Sequence, residues 1–111
     1  DCWGLVRLVY MEQLGIELPS YADCYTSAQQ DGDAISRAVS GARASGSWIE
    51  VPAPAAFDVA VLRMQGLPWH VGVMVGQRDM LHCTHGVDVC IEAIDGPLWG
   101  QRVEGFFRYA G

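Results

Sequence analysis

Three residues of this chain are of the types that build a nucleophile and its base. Cys2 stands at the mouth of a strongly apolar helix, and two histidines, His70 and His82, sit far downstream on what read as neighbouring strands. A helix N-terminus stabilises negative charge through its unpaired N–H groups and the helix dipole, so a thiol placed there is expected to favour its thiolate. One imidazole within reach would serve as a base and a second would orient it, which is the chemistry of nucleophilic attack on a carbonyl.

The elements that must position these groups follow from periodicity. Over residues 2–14, Cys2, Leu5, Val6, Val9 and Tyr10 recur at three- and four-residue spacing, while Arg7, Glu12 and Gln13 can face water. Asp1 is placed as N-cap and Gly15 as terminator. A loop from Ile16 to Tyr25, stiffened by Leu18-Pro19, leads to a second helix. That helix is expected from Thr26 or Ser27 to about Ala44, as a surface layer with Ile35, Ala38, Val39 and Ala42 inward. A Gly-, Ser- and Pro-rich connector over 46–56 contains the short extended piece Trp48–Val51. Beyond it the pattern changes to period two, and strands are expected at Phe57–Met64, Trp69–Val75, Arg78–Thr84, Val87–Ile94 and Phe106–Tyr109. Gly66-Leu67-Pro68, Gly76-Gln77 and His85-Gly86 supply the turns. Helices followed by hairpin-linked strands give an α+β fold, with an antiparallel sheet packed on the first helix.

Alternation decides which side chains meet. Val71, Val73 and Val75 share one face of their strand with Trp69; His70, Gly72 and Met74 share the other. Met80, His82 and Thr84 share a face of the next strand. A tight turn near Gly76-Gln77-Arg78 would set His70 directly opposite His82 and Gly72 opposite Met80, with Cβ atoms about 5 Å apart. Gly72 beside His70 would let another element come close.

Composition bounds the rest. The 111 residues suffice for one domain spanning 1–111, and half of them are apolar, so the chain buries a core. A net charge of −6, dispersed along the chain, argues against a nucleic-acid partner. No apolar run is long enough for membrane insertion, and no signal peptide opens the chain. The sequence starts inside a motif without an initiator Met, so a preceding segment is expected. Of the four cysteines, Cys83 and Cys90 are placed for a cross-strand bridge, although two free thiols are the favoured reading. His82, Cys83, His85 and Cys90 offer ligand types that zinc accepts, but adjacent strand residues point to opposite faces and no CxxC or HxxxH pair is present, so neither a metal nor any other cofactor is expected. Asp58 is expected to anchor the chain where it joins the sheet, and Trp48, Trp69 and Trp99 to form core or groove wall.

The ordered motifs Asp1-Cys2-Trp3-Gly4-Leu5-Val6, Phe57-Asp58-Val59-Ala60-Val61, His70-Val71-Gly72-Val73-Met74-Val75-Gly76 and Met80-Leu81-His82 resemble the NlpC/P60 family of cell-wall cysteine peptidases. The resemblance is greatest to versions carried in phage and gene-transfer-agent tail modules. It implies a papain-like core, with Cys2 as nucleophile, His70 as general base and His82 orienting the base. The substrate implied is the peptidoglycan stem peptide, commonly at the bond between D-glutamate and a diamino acid. Partners implied are other tail-tip or hub proteins, and the setting a tail tip or the bacterial envelope. Two departures stand out. The family usually has Ser after the cysteine, where Trp3 beside the nucleophile could narrow the cleft or alter substrate choice, and Gly before the strand aspartate, where this chain has Phe57. A tyrosine that lines the family's site would lie before Asp1. Two other readings stay open: a structural or binding tail-tip component with a vestigial site, and amide hydrolysis or acyl transfer on another substrate.

Overall fold

A computed structural model describes residues 2–19, 39–64, 67–83 and 88–111. The expected Asp1 cap, most of the second helix, Cys24 and the His85-Gly86 turn lie outside the described residues; the described end of that helix, residues 39–44, is helical. Helix α1 (Cys2–Val9) continues into a wider turn over Tyr10–Leu14. Gly15 closes it in the left-handed conformation, φ 66°, where Gly15 and Ile16 N–H donate to the Met11 and Tyr10 carbonyls.

Six strands form one antiparallel sheet: β1 (Trp48–Val51), β2 (Val59–Met64), β3 (Leu67–Met74), β4 (Asp79–His82), β5 (Cys90–Ala93) and β6 (Val103–Tyr109), in the order β1-β6-β2-β3-β4-β5. The α+β expectation holds, and several element boundaries differ. The short extended piece Trp48–Val51 is an edge strand on β6. Leu67 and Pro68, expected in a turn, already belong to β3, and Leu67 pairs with Met64 at the end of β2 beyond a register shift.

Both faces of the sheet are covered. Trp3, Val6 and Tyr10 of the helix pack on Val59, Val61, Val71, Val73 and Phe107. On the other side the chain after β5 folds back, so that Ile94 and Trp99 close over Ala60, Leu62, Met74 and Met80. His70 and His82 lie in this second layer, 5% and 1% exposed.

The join between helix and sheet is polar and well satisfied. Asp58, 2% exposed, accepts from the Ala55 N–H at 2.8 Å and from Arg108 Nε and Nη2 at 2.9 and 2.8 Å. This is the anchoring role expected of it. Phe57 beside it has φ 72°, a left-handed conformation that a glycine adopts without strain and that costs another residue roughly 1–2 kcal/mol. The strand therefore starts at Val59, two residues later than expected. Phe57 is held there from both sides: its N–H donates to the Met74 carbonyl and its own carbonyl accepts from the Tyr10 hydroxyl. Burial, and then the charge of Asp58, push the Tyr10 phenol up, so it keeps the proton it donates.

The β3–β4 register differs from expectation by two residues: Val73 pairs with Leu81 and Met74 with Met80. A two-residue slip keeps every side chain on its face, whereas a one-residue slip would have separated the histidines. His82 consequently falls beside Gly72 rather than directly opposite His70. A Cβ added at Gly72 would meet His82 Cβ at 3.2 Å, the Leu81 carbonyl oxygen at 3.2 Å and Met80 Sδ at 3.0 Å. Gly76, in the following turn, has nothing within 4 Å of its Cβ position. Gly72→Ala is therefore expected to lose about 1–3 kcal/mol in urea unfolding, while Gly76→Ala stays within about 0.5 kcal/mol of the parent. Equal midpoints for the two variants would contradict this packing.

Candidate active site

The two histidines are joined directly. His70 Nε2 and His82 Nδ1 are 2.8 Å apart, so the diagonal register still permits the expected contact. His82 Nε2 in turn lies 2.7 Å from Glu92 Oε1. The Trp99 ring stacks on His70, with centroids 5.5 Å apart and planes 19° apart, and meets His82 edge-on at 5.4 Å. Both imidazoles are thus fixed by packing as well as by hydrogen bonds.

Glu92 is the residue that the sequence reading missed. In the β4–β5 ladder His82 pairs with Cys90, and Glu92 lies two residues further along on the same face. The signal was there in alternation across the second hairpin, but locating it requires that hairpin's register, and the turn that sets it carries no strong consensus. The Glu92 carboxyl is held below the usual carboxylate range, first by the hydrogen bond from His82, with burial opposing and the Trp99 indole reinforcing.

An ionised carboxylate only accepts hydrogen bonds, so His82 Nε2 is the donor to Glu92. A neutral His82 then presents Nδ1 as acceptor, and His70 Nε2 must supply the proton of that bond. His70 is left as the tautomer whose Nδ1 holds the lone pair. The network therefore writes one direction of proton donation from His70 through His82 to Glu92 and leaves a base at His70 Nδ1.

Cys2 opens α1 and is partly buried against the helix-side core. The backbone N–H groups of Val71 and Trp3 act on its sulfur to favour the thiolate. Val71 directly follows His70, so the strand that carries this histidine also runs beside the thiol. The expected depression of the thiol pKa is not found. Burial pushes the Cys2 thiol up, and the two backbone N–H groups only partly offset it. A helix start supplies partial charge, but sulfur removed from water loses more hydration than those dipoles return.

Trp3 also differs from expectation. Its side chain is buried, its Nε1 donates to the Pro19 carbonyl at 3.0 Å, and its ring meets Trp48 edge-on. It packs beneath the sheet and ties down the 16–19 segment, with Arg7 Nε bonded to the Leu18 carbonyl at 3.1 Å. It does not narrow a cleft over Cys2. Trp48 and Trp99 are core or site wall, as expected. Cys2, Cys83 and Cys90 are all free thiols, and Cys90 pairs with His82 rather than facing Cys83. The donor set weighed for zinc is not the one assembled: Glu92 joins His82 and Cys90, Cys83 is not in the cluster, and His85 lies outside the described residues.

Because burial raises the Cys2 thiol pKa, its thiolate fraction at neutral pH is below that of a free cysteine, and it falls tenfold for each further unit of separation. With the other three cysteines replaced by Ser, iodoacetamide alkylation of Cys2 should keep accelerating through the ordinary thiol range. A rate already at its plateau below about pH 8 would show a preformed thiolate instead.

Over 103 residues, 92% of this chain, the sequence is 29% identical to the murein DD-endopeptidase MepS/murein LD-carboxypeptidase of Escherichia coli strain K12, and equally to those of strains O6:H1 and O157:H7. The match covers 45% of each relative, so the chain spans under half the length of the curated relatives it matches. Residues 1–108 match the NlpC/P60 family, which takes in the helix start at Cys2, both histidine strands and Glu92, and to that family this chain belongs.

Proposed function

We propose that the chain is a cysteine peptidase that hydrolyses peptidoglycan stem peptides. The observation that carries this reading is the hydrogen-bonded His70–His82–Glu92 chain, its two imidazoles buried and the first of them one residue from Val71, whose backbone N–H acts on the Cys2 sulfur. Supporting it are membership of the NlpC/P60 family and the murein peptidases among its relatives.

In this mechanism Cys2 rests as a neutral thiol. His70 Nδ1 takes its proton as sulfur attacks the scissile carbonyl, so thiolate forms only where it is consumed. The Cys2 N–H at the helix start donates to the developing oxyanion. His70 returns the proton to the leaving amine, and water, deprotonated by the same nitrogen, hydrolyses the thioester. His82 holds the ring and its tautomer; Glu92 does the same for His82. A papain-like arrangement, with the nucleophile helix against the sheet, is the geometry this reading assigns to the site. These steps use the chain's own side chains and water.

The bond assigned to this site is that between D-glutamate and the diamino acid, on the strength of the motif resemblance. The relatives' names point to two other murein bonds, a DD cross-link and an LD linkage. The setting proposed is a phage-like tail tip with tail-tip or hub partners, or the bacterial envelope, again from the resemblance of the motifs. The partial burial of Cys2, which pushes its thiol up, favours a second reading, a structural tail component with a slow site.

Mass spectrometry of purified muropeptides separates these possibilities. The wild type is expected to release a new fragment whose mass names the bond, and Cys2→Ala, still folded by circular dichroism, to release none. Cleavage by Cys2→Ala at the wild-type rate would sink the mechanism, and no cleavage by either protein would favour the structural reading.

A further inference from the structure

The side of His82 that faces away from His70 carries three different metal-ligand types. Cys90 Sγ lies 3.7 Å from His82 Nε2 and 3.8 Å from Glu92 Oε1, and Glu92 Oε1 lies 2.7 Å from the same nitrogen. All three donor atoms fall within 4.8 Å of one another. They come from two paired strands in fixed register, so the cluster is built by the ladder rather than by long side chains meeting at a surface. The His82 ring is buried and already oriented by its bond to His70, whereas Cys90 is exposed, which leaves a solvent-facing position for water.

We propose that His82, Cys90 and Glu92 bind a divalent ion of the zinc class, and that its binding switches off the histidine pair. The switching half rests on the peptidase reading above; the binding half does not. Thiolate, imidazole and carboxylate together suit zinc or cobalt and disfavour magnesium or calcium. Bonds of about 2.0–2.3 Å at tetrahedral angles separate neighbouring donors by roughly 3.3–3.6 Å. The two sulfur distances are already close to this, and the Glu92 carboxylate, 37% exposed, has room to withdraw from its hydrogen bond by the remaining half-ångström or so.

The consequence for the site follows from proton bookkeeping. An ion on His82 Nε2 displaces to water the proton that this nitrogen had donated in its hydrogen bond to Glu92, and the Cys90 thiol loses its proton to water as well. His82 must then be protonated on Nδ1, taking the proton shared with His70, so that Nδ1–H now donates to His70 Nε2. His70, now accepting at Nε2, holds its own proton on Nδ1, supplied by solvent. The lone pair that would deprotonate Cys2 is gone. Both rings flip tautomer without moving, and the direction of donation along the chain reverses.

Cobalt titration of the full chain tests the site, with zinc inhibition of muropeptide hydrolysis as the second readout. Wild type and Cys2→Ala should each take up one Co2+ per chain with a thiolate-to-cobalt charge-transfer band; Cys90→Ser should show no band. At a zinc concentration that stops wild-type hydrolysis, Cys90→Ser should retain roughly tenfold more activity. No band in the wild type, a band that survives in Cys90→Ser, or one lost in Cys2→Ala would overturn the site. A Cys90-dependent band with equal zinc inhibition of wild type and Cys90→Ser would overturn the switch and place the inhibiting ion elsewhere, on Cys2 for example. If the wild type hydrolyses no muropeptide, the peptidase reading fails while the cobalt result still decides whether the site exists.

Discussion

His82 is bonded at both ring nitrogens while almost wholly buried, and the functional half of this structure is organised around satisfying it. A buried imidazole left with an unmet donor or acceptor costs on the order of 1–3 kcal/mol, so both of its neighbours must be in place when the sheet closes. His70 comes from β3 and Glu92 from β5, on either side of the strand that carries His82. Three adjacent strands therefore have to find a common register before the pair exists. Gly72 makes the closest of these approaches possible, because any side chain there would meet the Leu81 backbone and the His82 Cβ.

The second layer of the sheet gives this arrangement its rigidity. Trp99, carried on the segment that folds back after β5, lies flat against His70 and edge-on to His82, excluding water from both rings. The same segment contributes Ile94 to the core under it. On the opposite face α1 is fixed by Val6 and Tyr10, which sets Cys2 at the edge of β3. Cys2 and His70 thus belong to different layers of the protein, and Val71, one residue beyond His70, is the part of β3 whose backbone N–H acts on the Cys2 sulfur.

What was legible in the sequence was what depends on parity and local periodicity. The apolar spacing from Cys2 to Tyr10 marks the helix, and the alternation of Val71 and Val73 against His70 and Gly72 puts the histidine on the correct face. The β3–β4 register came out two residues away from the expectation because a hairpin's turn geometry sets it, and Gly76-Gln77-Arg78 fits more than one turn length. Glu92 stayed hidden for the same reason, one hairpin further on. Phe57 shows the converse: its departure from the family's glycine is readable in the sequence, but only the backbone, at φ 72°, explains what the glycine is for. Trp3 and the Cys2 thiol were misjudged because both depend on burial. Position at a helix start indicates the sign of the dipole's effect and says nothing of how much water the sulfur loses.

The central claim is a direction of proton donation, from His70 Nε2 to His82 Nδ1 and from His82 Nε2 to Glu92. Nitrogen-15 NMR of the imidazole rings measures it directly, since protonated and lone-pair nitrogens differ widely in chemical shift. Both rings should carry their proton on Nε2 in the metal-free protein at neutral pH, with His70 Nδ1 showing the shift of a lone-pair nitrogen. A neutral His70 with its proton on Nδ1 and its lone pair on Nε2, or a neutral His82 with its proton on Nδ1, would mean that the chain runs the other way and that His70 is not the base.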